Sequence, residues 1–310
     1  MKTIDIVLPV YNEEDGLNSF HQALMLVLDT LRDRYCFNIT YVLDRSIDNS
    51  FNVLKSLVAT SKNVTVIHLS RRFGHQMSLV AGIDQSKGDA LIMMDCDLQH
   101  PPQIIPSLLE KFEEGYDIVQ TVRQYDPKTR FWKRWTSRIF YRLQNALSPV
   151  EIQEGAADYR LISRKVVAVF QSSVREQNQF LRGLFSWVGF RSTSIRFFSA
   201  PRGAGQTKYH LSRLVTFSIV GITSFSKLPL RLAIMLGFVI SISSILYGIW
   251  VVGVYFILGH LPRGYTSLIV VGSFLGGLQL TVLGIIGEYL GSVFDEVKHR
   301  PLYVVDEVIR

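Results

Sequence analysis

Two long stretches of this 310-residue chain lack charge altogether: no Asp, Glu, Lys or Arg occurs from Leu232 to Leu258 or from Gly264 to Gly287. Acids and bases are frequent everywhere before Lys208. Each uncharged run exceeds the roughly 20 apolar residues that carry a helix across ~30 Å of hydrocarbon, so both read as transmembrane helices rather than buried helices of a soluble bundle. Cysteine is scarce too. Cys36 and Cys96 are too few and too far apart for a disulfide framework or a zinc site. No leader is expected in "MKTIDIVLPVYNEED", whose apolar run is short, is broken by Asp5 and runs into Glu13, Glu14 and Asp15. The polar segment before Lys208 is therefore expected to stay in the cytoplasm, and two crossings would return the C-terminus there. Lys298 and Arg300 after the second run, against Arg263 alone between the runs, agree with that orientation. The net charge of +7 fits an anionic membrane surface, and no nucleic-acid motif is legible.

What is present alternates. "TIDIVLPVY", "NITYVLD", "VTVIHLS" and "ALIMMD" read as strands. Between them, "EEDGLNSFHQALMLVLDTLRDRY", "SIDNSFNVLKSLVAT" with Ser46 or Asp48 as cap, and "GHQMSLVAGIDQSKG" ended by Gly88 read as helices. Repeated strand–helix alternation predicts an α/β fold, a mostly parallel sheet with helices on both faces. Ligands bind such sheets beyond the carboxyl ends of the strands, which singles out "PVYNEE", "LDRS", "SRRFGH" and "DCDLQH". Further on, "RFWKRWTSRIFYRLQN" places Arg134, Arg138 and Arg142 at i+4 steps among aromatic residues, a pattern shared by headgroup-level helices and ordinary solvated faces. "HLSRLVTFSIVGITSFSKLPLR" is apolar but interrupted, and reads as interfacial helices ahead of the first span. The expected organisation is a catalytic domain over 1–210, juxtamembrane helices over 211–230, two spans within 231–292 (232–258 and 264–287) and a cytoplasmic tail over 293–310.

The stretch "MMDCDLQHPP" carries the chemistry. Asp95 and Asp97 fall on one face because strand side chains alternate, so both can reach one hard divalent cation or the diphosphate it holds. Gln99 offers a further neutral oxygen, and Pro101 and Pro102 are expected to stop the strand. Taken alone, two acids at this spacing also describe a solvated strand end.

Together with "VLPVYNEED", "GYDIV", "VRQ", the two spans and "GEYLGSVFDEVKHRPLY", this stretch resembles the family-2 inverting glycosyltransferases over nearly the whole chain. More narrowly it resembles the polyprenyl-phosphate glycosyltransferases, which include dolichol-phosphate mannose synthase and the bactoprenol glucosyltransferases. The resemblance implies a nucleotide-diphosphosugar transferase (GT-A, Rossmann-like) fold. It also implies a nucleotide-diphosphate sugar as donor, a polyprenyl phosphate as acceptor, Mg2+ or Mn2+ as cofactor, and a bacterial inner membrane as setting. By the same resemblance Pro9, Tyr11 and Glu13 match a first nucleotide-contacting loop, and Asp44 the acid that reads the base. Asp95, Asp97 and Gln99 match the metal and diphosphate motif. Asp158 in "ADYRLISRKV" matches an acid near sugar and acceptor. Arg123, with Arg134 or Arg138, matches an acceptor-phosphate clamp, and Lys208 in "GAGQTKY" a basic residue of the covering loop.

Two departures stand out. Leu43 and Arg45 flank Asp44 where the family has a polar residue and a glycine, and Ala157 replaces a glycine before Asp158. The nucleotide base, uracil or guanine, and the sugar stay open, with UDP-glucose or a similar UDP-sugar and undecaprenyl phosphate adopted from the bacterial relatives. Gly272, Gly276, Gly287 and Gly291 would permit close helix contacts and self-association. Two alternatives remain. A processive polysaccharide synthase would want more spans and a Q-x-x-R-W acceptor motif, neither of which is found. A catalytically degenerate, non-enzymatic membrane protein would make no metal-dependent lipid product.

Overall fold

The computed structural model of the chain describes residues 1–124, 155–198, 226–258 and 264–310. They fall into two units, Met1–Gly221 with Arg300–Arg310, and Ile222–His299.

The first unit is built on one mixed sheet. Strands β1 (Lys2–Val10), β2 (Tyr35–Leu43), β3 (Val64–Leu69) and β4 (Ala90–Met93) pair in parallel, joined by helices α1 (Leu17–Asp29), α2 (Ser50–Thr60) and α3 (His75–Gln85). β1 is buried from Ile4 to Val10, as expected of a strand covered on both faces, and its sequence is correspondingly an almost unbroken apolar run. α1 lays Leu17, Phe20, Leu24 and Leu28 into the core at steps of three and four, one stripe of an amphipathic helix. A 3-10 turn at Pro102–Ile104 leads into α4 (Ile105–Glu113), followed by β5 (Ile118–Gln124), β6 (Ala156–Ser163), α5 (Arg164–Ser172), α6 (Leu181–Trp187) and β7 (Ser192–Phe198). A last strand, β8 (Val305–Ile309), completes the order β7-β5-β6-β4-β1-β2-β3-β8.

β6 runs antiparallel to both β4 and β5, and β8 antiparallel to β3. The reversal of β6 matters for the site. With Met93 opposite Arg160, the residues that precede Arg160 lie alongside those that follow Met93. β5 points the same way as β4, so its carboxyl end opens onto the same side of the sheet.

Asp5, the acid that breaks the apolar run of β1, is buried. Its Oδ2 accepts the Ser86 hydroxyl and the N–H groups of Lys87 and Gly88, each at 2.7 Å, and its Oδ1 accepts Asn38 Nδ2 at 2.9 Å. A buried carboxylate with every oxygen satisfied thus ties the turn after α3 to the first strand.

Several boundaries differ from the sequence reading. α2 starts at Ser50 behind Asn49. Ser46 does not cap it, since its Oγ takes the Asn12 N–H, whereas Asp48 takes the N–H of Ser50, the first residue of the helix, together with that of Glu14. α3 stops at Gln85, before Gly88. β4 stops at Met93, so Pro101 and Pro102 do not end a strand; Pro102 instead opens the 3-10 turn, where its missing N–H costs nothing. Residues 300–310, read as part of a tail, contribute an edge strand.

The second unit holds α7 (Leu228–Leu258) and α8 (Tyr265–Val297). Within them Leu228–Trp250 and Val270–Val297 are long and apolar enough to cross a membrane. Both helices extend beyond the uncharged runs, α7 backward to Leu228 and α8 forward past Gly291.

Packing between α3 and β1 yields a test. Gly82 faces Val7 so closely that a Cβ there would overlap the valine side chain. Gly82→Ala should destabilise the fold by about 2 kcal/mol, and combining it with Val7→Ala should cost less than the two changes added separately. Thermal unfolding of the three variants measures this.

Candidate active site

The loops at the carboxyl ends of β1 and β2 are locked to one another. Asn12, at φ +55°, accepts the Ile47 N–H on Oδ1 at 3.0 Å and donates its own N–H to Ser46 at 2.9 Å. The Glu13 N–H meets Ser50 Oγ at 3.1 Å, and Glu14 accepts the Asn49 N–H at 2.7 Å. This platform carries Pro9, Tyr11, Glu13 and Asp44. Pro9 contributes its carbonyl, which accepts the Cys96 thiol, and Tyr11 has the Arg72 guanidinium 4.0 Å over its ring.

Asp44 also has a structural role within the protein. It is buried, and its two oxygens accept the N–H groups of Phe73 and Gly74 at 2.6 and 2.9 Å, fastening the loop after β3. Arg45 holds φ +40° where the family has glycine, a conformation costing a non-glycine residue roughly 1–2 kcal/mol. Its side chain turns to the Ser70 carbonyl at 3.2 Å.

After β4 the alternation continues through the loop. Cys96 is buried, while Asp95 and Asp97 on either side of it are partly open. Asp97 Oδ1 accepts the Gln99 N–H at 3.0 Å, and Leu98 between them sits at φ +61°. Strain at a bulky residue in this loop is of the kind that collects at functional sites. His100 anchors the loop from beneath. It is buried, stacked on Tyr159 at 5.3 Å and edge-on to Phe197 at 6.0 Å, and its Nδ1 accepts the Asp95 N–H at 2.9 Å. Burial lowers its pKa, and with Nδ1 an acceptor the neutral ring carries its proton on Nε2.

Asp95 itself faces His75, the first residue of α3, whose Nε2 lies 2.7 Å from Oδ1. Burial works against the Asp95 charge, but the His75 imidazole, hydrogen-bonded to it, holds the carboxyl below its usual range. Burial likewise opposes an imidazolium at His75, yet Asp95 and then Asp158 push its pKa up to about 9. At neutral pH this is an ion pair with His75 as donor.

Asp158 lies next along β6. Arg182 from α6 grips it with two bonds, Nε to Oδ1 at 2.9 Å and Nη2 to Oδ2 at 2.8 Å, and Arg160 Nη2 stands 3.6 Å from Oδ1. Although burial favours the neutral acid, Arg182 first and then His75 and Arg160 drive its pKa far below the carboxylate range. A carboxylate so held is a very weak base and a rigid fixed charge.

The structure therefore brings Asp95, Asp97, Gln99 and Asp158 to one end of the sheet. Arg123, at the carboxyl end of β5, joins them and acts electrostatically on His100. Arg134, Arg138, Arg142 and Lys208 lie outside the described residues. Among the described residues no three of His, Cys, Asp and Glu form a metal cage. Two carboxylates with an amide nearby fit instead a Mg2+-like cation that completes its shell with substrate phosphate oxygens and water.

Sequence reasoning assigned no role to His75, His100, Arg160 or Arg182. His75 lay in the "SRRFGH" segment. Arg182 had a signal that went unused: Gln179 and Arg182 reproduce the Q-x-x-R half of the acceptor motif judged absent, with Gly183 in place of the tryptophan.

Residues 5–170 match the family model described as Glycosyl transferase family 2. An uncharacterized glycosyltransferase of Synechocystis sp. is 41% identical over 305 residues, 98% of this chain and 95% of the relative. A prophage bactoprenol glucosyl transferase homolog of Escherichia coli (strain K12) is 36% identical over 305 residues, 98% of this chain and 99% of the relative. Among solved structures, the mannosyltransferase PcManGT from Pyrobaculum calidifontis, in complex with GDP-Man and Mn2+, shares the fold at TM-score 0.51 and 13% identity, covering 72% of this chain and 65% of that one. The chain belongs to glycosyl transferase family 2.

The Arg182–Asp158 pair supplies the test of this geometry. Removing one member of a buried pair strands the other, so Arg182→Ala and Asp158→Asn should each destabilise the protein by about 3 kcal/mol. The double variant should cost clearly less than their sum, giving a coupling above roughly 1 kcal/mol in a double-mutant cycle of unfolding. A coupling near zero contradicts the pairing.

Proposed function

We propose that this family-2 glycosyltransferase moves a hexose, glucose in the first instance, from a uridine-diphosphate donor to undecaprenyl phosphate or a similar polyprenyl phosphate, inverting the anomeric carbon. The observation that carries the reading is Asp158, clamped by Arg182 beside the Asp95–His75 pair. Relatives named bactoprenol glucosyl transferase, 36% identical over 302 residues and 97% of this chain, support glucose as the sugar and a polyprenyl acceptor.

The acceptor is a phosphate monoester whose second pKa is about 6, so its oxygen is already a nucleophile and needs no strong base. Asp158 suits that demand: held ionised by two arginines, it stabilises positive charge developing on the sugar ring and orients the ring rather than taking a proton. The acceptor oxygen forms the new bond to the anomeric carbon as the bond to the donor's diphosphate breaks on the opposite face, and the nucleoside diphosphate leaves. A divalent cation held by Asp95 and Asp97, with Gln99 nearby, would neutralise charge on that departing diphosphate. His75 keeps Asp95 ionised and adds a positive charge at the same place. The platform of Pro9, Tyr11 and Glu13 receives the nucleoside, with Asp44 shaping the loop beside it. Arg123, together with Arg134 and Arg138, takes the acceptor phosphate, and Lys208 the diphosphate.

The membrane location follows the same reading. The polyprenyl chain loses about 0.8 kcal/mol for each methylene drawn out of the bilayer, so an enzyme acting on it works at the interface. Both flanks of the α7–α8 pair belong to one folded unit, since β1 and β8 share a sheet, which requires an even number of crossings between them. That supports termini on one side of the membrane, which this reading takes as the cytoplasmic side of the plasma membrane.

The test is a donor screen. Purified full-length protein with undecaprenyl phosphate and Mn2+ or Mg2+ is offered a panel of UDP- and GDP-sugars, and the lipid is read by mass spectrometry. A single UDP-hexose should give a lipid-phosphate-hexose, and Asp97→Asn should abolish it. Full activity in Asp97→Asn, or no lipid product from any donor, rejects the reading.

A further inference from the structure

The C-terminal residues touch the catalytic unit on both sides of α3. At the far end of that helix, Gln177 donates to the Arg300 carbonyl, Leu302 is buried, and the Tyr303 hydroxyl donates to Asp84 Oδ2 at 2.7 Å. Asp84 is held at the same time by Arg175, whose Nη1 lies 2.7 and 2.9 Å from its oxygens. At the near end, the Val304 carbonyl accepts the Ser70 N–H at 2.9 Å, and β8 then pairs with Val66 to Leu69. Ser70 is gripped on its other side as well, because its carbonyl accepts Arg45 Nη1, and Arg45 reaches toward Asp306 of β8 at 3.8 Å.

Ser70 is the first residue of the loop that builds much of the site. From it follow Arg72 over the Tyr11 ring, the two N–H groups bound by Asp44, and His75 against Asp95. Those contacts all lie within a few residues of one anchored point. Without β8 the outer edge of β3 would be unpaired, and a short loop hung from a frayed strand end would not hold His75 at a fixed distance.

We infer that Leu302–Ile309 is a positioning element of the transfer site: it fixes the loop after β3 at Ser70 and the end of α3 at Asp84, and thereby sets where Arg72 and His75 stand. The departure at Arg45 gains a reason in this arrangement. Its side chain spans the Ser70 carbonyl and the neighbourhood of Asp306, bridging β2, β3 and β8, which glycine cannot do. The structural half of the inference is independent of substrate; its kinetic half rests on the donor reading given above.

The experiment compares the full chain with a variant ending at Arg300 and with Tyr303→Phe, all in detergent micelles. Hydrogen–deuterium exchange and donor kinetics are read together. In the truncated protein, exchange should rise across Ser70–Gln85 and stay at the wild-type level in β1 and α8, with donor KM raised and turnover lowered. A synthetic peptide of residues 301–310, added in trans, should restore both by strand addition. Tyr303→Phe should show the same pattern at smaller size, a loss of roughly fivefold in donor use for one charge-assisted hydrogen bond. Wild-type exchange at Ser70–Gln85 in the truncated chain overturns the proposal. So does exchange raised everywhere, β1 included, when Tyr303→Phe behaves as wild type, since that pattern means overall stability alone. Should the intact chain turn over no donor, the function falls, and the exchange comparison still decides the positioning.

Discussion

Two carboxylates, Asp95 and Asp158, must both stay ionised close together at one end of the sheet, and much of the local architecture answers that demand. Burial and mutual repulsion each favour protonating one of them. Three cations prevent it, and each comes from a different element: His75 from the start of α3, Arg160 from β6 and Arg182 from α6. A buried charge missing its partner costs several kcal/mol, so these elements are constrained in position as well as in sequence. The antiparallel course of β6 is what sets the two acids next to each other. The hydrogen bonds of Asp44 to the loop after β3 and the docking of α6 through Arg182 then hold the counter-charges in place.

This electrostatic arrangement narrows the chemistry. An acid held far below its usual range cannot accept a proton readily, so a reaction that needs a strong general base would be poorly served here. A phosphate nucleophile needs none. The same fixed charges cost no reorganisation when positive charge develops at a sugar ring, which is how preorganised sites gain most of their effect. Asp95 serves a second purpose, because a carboxylate kept ionised at a partly open loop remains available to a hard cation.

How much of this was legible beforehand depended on whether the signal was local. The parallel strands β1 to β4 and helix α1 announce themselves through alternation and a stripe at three- and four-residue steps, and the paired acids stand at a strand end where ligands bind. The counter-charges do not announce themselves. Arg182 reaches Asp158 across 24 positions of sequence, and no periodicity connects them. The fastening of Asp44 to the loop after β3 was likewise not legible, because a sequence does not reveal which distant backbone N–H groups meet its oxygens. β8 was missed for a related reason. "VDEVI" is only five residues long, does not alternate apolar with polar residues, and follows a long apolar helix, so only its partner β3 identifies it as a strand of the catalytic sheet.

The central claim is that Asp95 and Asp97 provide only part of a cation's shell and leave the rest to the donor's diphosphate. Electron paramagnetic resonance of Mn2+ titrated into the full-length protein tests it most directly, without turnover. The account predicts weak binding to the protein alone, much tighter binding once UDP is added, and no such tightening in Asp95→Asn. Tight binding without nucleotide, or UDP-dependent tightening that survives in Asp95→Asn, would contradict it.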